Sequence, residues 1–138
     1  MTKKKILTYK GAVTTLECDS NRHMNVVYYM SKYELAGRNF SVELGISKAY
    51  LKANNYGIAV VEQTITYQKE VFEDDILYIE STVENFSNKV LTLKHILKDG
   101  ATHAIAGSMI AKTVILDRLK RKAVVIPTEI KEKLSEFM

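Results

Sequence analysis

Cysteine is almost absent from this 138-residue chain: Cys18 stands alone, so no intramolecular disulfide can form, in keeping with a reducing compartment. Proline is equally scarce, with Pro127 the sole instance, and the six glycines form no Pro/Gly-rich linker at which to divide the chain. Internal repeats and low-complexity stretches are missing too. No apolar run approaches the ~20 residues of a membrane span. The basic start, Met1-Thr2-Lys3-Lys4-Lys5, lacks the apolar stretch of a signal peptide because Tyr9, Lys10 and Gly11 interrupt it. Twenty Lys and Arg against sixteen Asp and Glu give a formal charge of +4, too little by itself to argue for nucleic acid. The two basic clusters, Lys3–Lys5 and Arg118–Lys122, have no interleaved aromatics for base stacking, and read as a frayed terminus and a solvated turn. His23, His95 and His103 are far apart in sequence and match no metal-ligand spacing. The expectation is one soluble, cytoplasmic domain over 1–138, with no metal, membrane span or nucleic-acid partner.

What is there is a 46% hydrophobic chain, ample for one core, whose apolar period changes along its length. Ala12 to Glu17 reads as a strand. Asn25 then introduces a helix from about Val26 to Leu44, with Val26, Met30, Tyr33, Gly37, Phe40 and Leu44 as its apolar stripe. Gly45 suits the helix end, and Ser47 to Asn54 suits a short second helix. From Asn54-Asn55-Tyr56-Gly57 onward the period is two. Ile58–Val71, Ile76–Phe86, Val90–Lys98 and Ala101–Leu116 read as long antiparallel strands, and Lys122–Ile126 as one more. Thr128 is positioned to cap a terminal helix through Phe137. The order implies an α+β fold, a sheet wrapped around one central helix. Such a sheet leaves an edge strand open, so a dimer is expected.

The chemistry concentrates in Asp19-Ser20-Asn21-Arg22-His23-Met24-Asn25, at the junction of strand and helix. With Asn25 as N-cap, the first-turn N–H groups of Val26, Val27 and Tyr28 point outward with partial positive charge, and Asp19 can face them. A carboxylate opposite an oxyanion-type site is the minimum kit for attack on an acyl carbonyl. A thioester suits that kit because its thiol, with a pKa of about 8.5 in the cysteine model, leaves without a strong acid. An ordinary Asp is a weak base near neutrality, so Asp19 must either have a raised pKa or act as the nucleophile.

The same run, followed by Tyr29, resembles the D-x-N-G-H-M-N-x-x-x-Y signature of hot dog fold acyl-CoA thioesterases, in the 4-hydroxybenzoyl-CoA thioesterase-like group. Tyr67-Gln68-Lys69-Glu70 is similar to that family's Y-x-x-E strand, and the likeness continues through Asp75, Asp117 and Pro127. Arg22 stands where the family has glycine. The resemblance implies a hot dog fold, a homodimer or dimer of dimers, and sites at the subunit interface. It implies that Asp19 is the general base or nucleophile and that the Val26 amide polarises the carbonyl. CoA is part of the substrate, and no cofactor is implied.

Other site residues are assigned around that pair. Asn21 shapes the loop, Asn25 caps the helix, and His23 orients Asp19 or touches the acyl group. Tyr29 is a candidate pocket wall. Glu34 is a reserve base, with an ion pair to Arg38 as its ordinary explanation. Glu62 and Glu70, on the long strand, are candidates to reach a partner's site. Alternation along a strand would put Cys18 on the face opposite Asp19. The Arg118–Lys122 cluster is a candidate for CoA phosphates. Two other functions fit less well: an (R)-enoyl-CoA hydratase, whose D-x-N-x-x-H spacing differs from D-x-N-x-H here, and a non-catalytic acyl-CoA-binding module.

Overall fold

Runs of Val, Ile, Thr and Tyr with period two become a six-stranded antiparallel sheet in the computed structural model, which describes residues 4–138. The elements are β1 (Ile6–Ala12), α1 (Val26–Glu43), α2 (Lys48–Asn54), β2 (Tyr56–Tyr67), β3 (Ile76–Phe86), β4 (Val90–Asp99), β5 (Ile105–Asp117), β6 (Lys122–Ala123) and α3 (Thr128–Glu136). The strands lie in the order β1-β3-β4-β5-β2, with β6 added to β5. On β3 the alternation is regular: Leu77, Ile79, Ser81 and Val83 are buried between more exposed neighbours. The concave face of the sheet holds α1, as the hot dog fold requires.

Helix α1 buries Tyr29, Lys32, Tyr33, Ala36 and Phe40, at three- and four-residue spacing. The expected stripe is therefore rotated: Val26 is exposed, and Lys32 is inside. Lys32 is tolerated there because its Nζ lies 2.6 Å from Glu17 Oε2, so the buried charge is paired. Two clusters make the core. Tyr29, Tyr33 and Ala36 pack on Leu77, Ile79, Leu97 and Met109 near the start of α1. At the other end Phe40 and Leu44 meet Ile130, Leu134 and Phe137, which brings α3 across the bundle.

Five boundaries differ from the sequence reading, each for a local reason. Ala12–Glu17 is not a strand: β1 ends at Ala12, and Thr15–Glu17 is a 3₁₀ turn. Thr14 N–H donates to Glu17 Oε1 at 2.8 Å and Glu17 N–H to Thr14 C=O at 3.0 Å, so local bonds displace a ladder. Strand β2 stops at Tyr67 because Gln68 and Lys69 both donate to Ala106 C=O, so Glu70 is in a loop. Ala101–Ala104 stay out of β5, since Asp99 Oδ1 accepts from Ala101 and Thr102 N–H and His103 turns left-handed at φ +64°. Of the expected strand Lys122–Ile126, only Lys122 and Ala123 form a strand with β5, Val124 adding a single N–H to Ile115 C=O at 2.8 Å. Pro127, not Thr128, is the N-cap of α3, consistent with its extended backbone. Met1–Lys3 lie outside the described residues. Lys5 pairs with Glu80 at 3.8 Å and Lys4 stacks over Phe137, so this part of the basic start is docked rather than frayed.

Strand β2 is one edge of the sheet, and Ile58, Val60, Val61 and Tyr67 on it are exposed. No helix among the described residues is long and apolar enough to cross a membrane.

Candidate active site

The loop before α1 is closed by its own backbone. Asp19 N–H donates to His23 C=O at 3.1 Å and Arg22 N–H to Asp19 C=O at 2.9 Å. Met24 N–H donates to Val71 C=O at 2.7 Å, so the segment after β2 is stitched to the loop. This turn sets Arg22 at φ +64°, a conformation that favours glycine and costs other residues about 1 kcal/mol or more. Arg22 thus holds a backbone conformation that glycine adopts freely.

Asp19 is held at both carboxylate oxygens. Asn21 donates its backbone N–H to Oδ1 at 2.9 Å, so it acts through its main chain rather than its amide. Asn25 Nδ2 donates to Oδ2 at 3.1 Å, while Asn25 Oδ1 accepts from Val27 N–H at 3.0 Å. One side chain therefore caps the helix and orients the carboxylate. His23 bridges outward, its Nε2 3.8 Å from Asp19 Oδ2 and its Nδ1 3.2 Å from Glu70 Oε1. The Asn21 and Asn25 hydrogen bonds stabilise the charged form and hold the Asp19 carboxyl below the ordinary value of 3.8. A raised pKa for Asp19, one of the two requirements set by its weak basicity, is therefore not met.

Of the three first-turn amides expected to be free, two are used: Val27 by Asn25 Oδ1 and Tyr28 by Asn25 C=O at 3.0 Å. Val26 N–H has no partner among the described residues. It lines the same cavity of about 380 Å³ as Asp19, His23, Asn25, Tyr29 and Glu70. Tyr67 adds a second wall, its ring edge-on to Tyr29 at 4.9 Å. Gln68 and Lys69 complete that rim. Glu70, expected on the long strand as a residue reaching a partner's site, instead lines the Asp19 cavity of its own chain beside His23; the run of polar residues Gln68-Lys69-Glu70 at a strand end is the sequence signal for that loop.

Two assigned residues, Glu34 and Glu62, lie elsewhere, and Cys18 is also outside the site. Glu34 pairs with Arg38 at 3.5 Å and lines a separate groove along α1, not the Asp19 cavity. Glu62 pairs with Lys112 at 3.1 Å on the outside of the sheet. Cys18 is not on a strand; its Sγ donates to Thr14 C=O at 3.7 Å and it packs on the core, outside the cavity. The basic turn is also remote. Tyr56 pairs with Asp117, whereas Tyr67 pairs with Gly107, so Arg118–Lys122 and Asp19 occupy opposite ends of β2. The eleven residue steps of β2 between those ends amount to on the order of 35 Å of strand at ~3.4 Å per residue.

A curled antiparallel sheet wrapped around one long helix is the hot dog fold, and here a carboxylate and an unpartnered amide stand at the start of that helix. The family model of the thioesterase-like superfamily matches residues 13–134, and the chain belongs to that superfamily. Its fold is similar to that of protein SAV2348 from Staphylococcus aureus, solved in complex with CoA, at 19% identity and TM-score 0.88, over 99% of this chain and 85% of that one. The YbaW probable thioesterase from Escherichia coli shares 22% identity at TM-score 0.81, over 96% and 98% of the two chains. Slr0204, a 1,4-dihydroxy-2-naphthoyl-CoA thioesterase from Synechocystis, shares 11% at TM-score 0.82, over 96% and 97%. No match was found among curated protein sequences.

Proposed function

We propose that this protein is an acyl-CoA thioesterase of the 4-hydroxybenzoyl-CoA thioesterase-like group, releasing a free acid and CoA. The observation that carries the reading is the pairing, in one cavity, of an ionised Asp19 with the unpartnered Val26 amide at the start of α1. The structural neighbours that hold CoA or act on an aromatic acyl-CoA support the same substrate class.

The thioester carbonyl oxygen accepts from Val26 N–H, where the helix dipole stabilises developing negative charge. Asp19, fixed by Asn21 and Asn25, is a poor base because its pKa is lowered, and this favours the nucleophilic role. One carboxylate oxygen attacks the carbonyl carbon, the C–S bond breaks, and CoA leaves as thiolate, taking a proton from solvent. Water then cleaves the acyl-aspartyl anhydride, releasing the acid and restoring the carboxylate. His23, between Asp19 and Glu70, is placed to orient that water. Rapid-quench mass spectrometry is expected to find one acyl group on the Asp19 peptide during turnover. Turnover with Asp19 never acylated would assign it the general-base role instead.

The working unit of this proposal is a dimer formed through the exposed β2 edges. A two-fold axis through the middle of β2 sets the Tyr56 end of one copy beside the Tyr67 end of the other. That pairing brings the basic Arg118–Lys122 turn of one copy toward the Asp19 cavity of the next, where CoA phosphates require positive charge. The hydratase alternative is tested by crotonyl-CoA: loss of its absorbance without thiol release would favour it.

A further inference from the structure

Beyond the Asp19 cavity, a groove of about 970 Å³ runs between α1 and strands β2, β4 and β5. Its inner wall is apolar, with Leu44, Leu93, Met109 and Ala111 buried along it, its exposed rim carries Glu34, Arg38, Lys48, Lys52 and Arg118, and its floor carries His95, which is 1% exposed. Gly37 of α1 faces the ring: a Cβ there would lie 4.0 Å from His95 Nε2. The missing side chain leaves that nitrogen open to the groove.

Hydrogen-bond accounting fixes the tautomer. Thr8 Oγ1 must donate its one hydrogen to Ile79 C=O, at 3.2 Å, because a carbonyl can only accept. In the 2.8 Å bond between Thr8 Oγ1 and Ser81 Oγ the donor is therefore Ser81. Ser81 has then used its own hydrogen, so in its 2.5 Å bond with His95 the Nδ1–H must donate. Nε2 is left as a bare lone pair, with no partner among the described residues. Burial pushes the His95 pKa down to about 4, so the ring is neutral at physiological pH. Tyr33, whose buried hydroxyl also has no partner, lines the same groove. An apolar groove with an unfilled acceptor at its floor is built for a ligand that is mostly hydrocarbon and carries one donor.

We propose that this groove takes the distal part of the substrate acyl group and that His95 Nε2 accepts a hydrogen bond from a hydroxyl on it, selecting hydroxylated over plain acyl chains. This rests on the thioesterase reading of the Asp19 cavity. The two spaces share no lining residue and follow one another along α1, Tyr29 lining the first and Tyr33, one turn on, the second, so the proposal requires the acyl chain to pass between them. From Val26 to Gly37 is eleven residues, about 16 Å at ~1.5 Å per residue, which calls for an acyl chain of about twelve carbons.

Binding of free acids tests this without requiring hydrolysis. The probes are 12-hydroxydodecanoic acid and dodecanoic acid, titrated into wild type, His95→Leu and Ser81→Ala by calorimetry, with histidine ¹⁵N spectra recorded alongside. Wild type is expected to bind the hydroxy acid about tenfold tighter, the effect of one hydrogen bond of about 1.4 kcal/mol. The His95 Nε2 signal should be that of an unprotonated nitrogen and should shift only with the hydroxy acid. His95→Leu, checked for folding by circular dichroism, should lose the preference, and Ser81→Ala, which frees the tautomer, should weaken it. Equal affinities in wild type, no binding of either acid, or a protonated Nε2 would overturn the proposal. Should His95→Leu fail to fold, the wild-type spectra and affinities decide alone. Acyl-CoA turnover with no hydroxyl preference would refute this inference only; hydroxyl preference with no turnover would refute the thioesterase reading only.

Discussion

Asn25 carries two roles in one side chain, and they are separable by substitution. Asn25→Ser keeps an acceptor for the helix start but removes the donor to Asp19, so thermal stability should hold within about 0.5 kcal/mol while turnover falls. Asn25→Ala should also cost about 1 kcal/mol of stability, read from denaturant melts. His95 gives a pH prediction of definite sign. Its folded pKa is depressed from 6.5 to about 4, so the neutral ring stabilises the fold fully above the unfolded value. That contribution is lost as pH falls from 6.5 toward 4, by on the order of 3 kcal/mol at 1.36 kcal/mol per unit. The melting temperature of wild type should fall across that window, and His95→Gln should flatten the fall. Asp19 behaves differently: its depressed pKa keeps it ionised, so an Asp19-dependent rate should not fall until the pH is below the usual 3.8.

At the scale of elements, the loop from Asp19 to Met24 is where sequence and structure meet most closely. Its hydrogen-bonded turn sets Arg22 left-handed, so Arg22→Gly should relieve strain and raise stability by up to about 1 kcal/mol, whereas Arg22→Val should lower it by a similar amount. Equal stability of all three would show that this loop does not hold its left-handed turn. The helix start and its cap were legible in Asn25 because capping is a local matter. The strands were legible in their period-two burial, but their ends were not. Glu70 left the strand because Ala106 C=O accepts two amides, a contact some forty residues away that no window of sequence reveals. Likewise Lys32 is inside only because Glu17 comes back to meet it. The pairing Ser81 with His95 and Thr8 joins three strands and leaves no trace in spacing.

For the whole molecule, the placing of the basic turn and Asp19 at opposite ends of β2 makes assembly part of the functional account. Val61, 60% exposed on the β2 edge, is the place to test it. Val61→Lys should put a charge into the paired edges, shift the protein from dimer to monomer in light scattering, and reduce acyl-CoA turnover with it. A monomeric variant with full turnover would place the complete site within one chain. The most direct measurement of the central claim is thiol release from a panel of acyl-CoAs by wild type and Asp19→Asn, with both shown to be folded and in the same oligomeric state. The account predicts turnover by wild type and a loss of at least about 10²-fold in the variant. Equal rates in both, or no thiol release from any substrate, would contradict it.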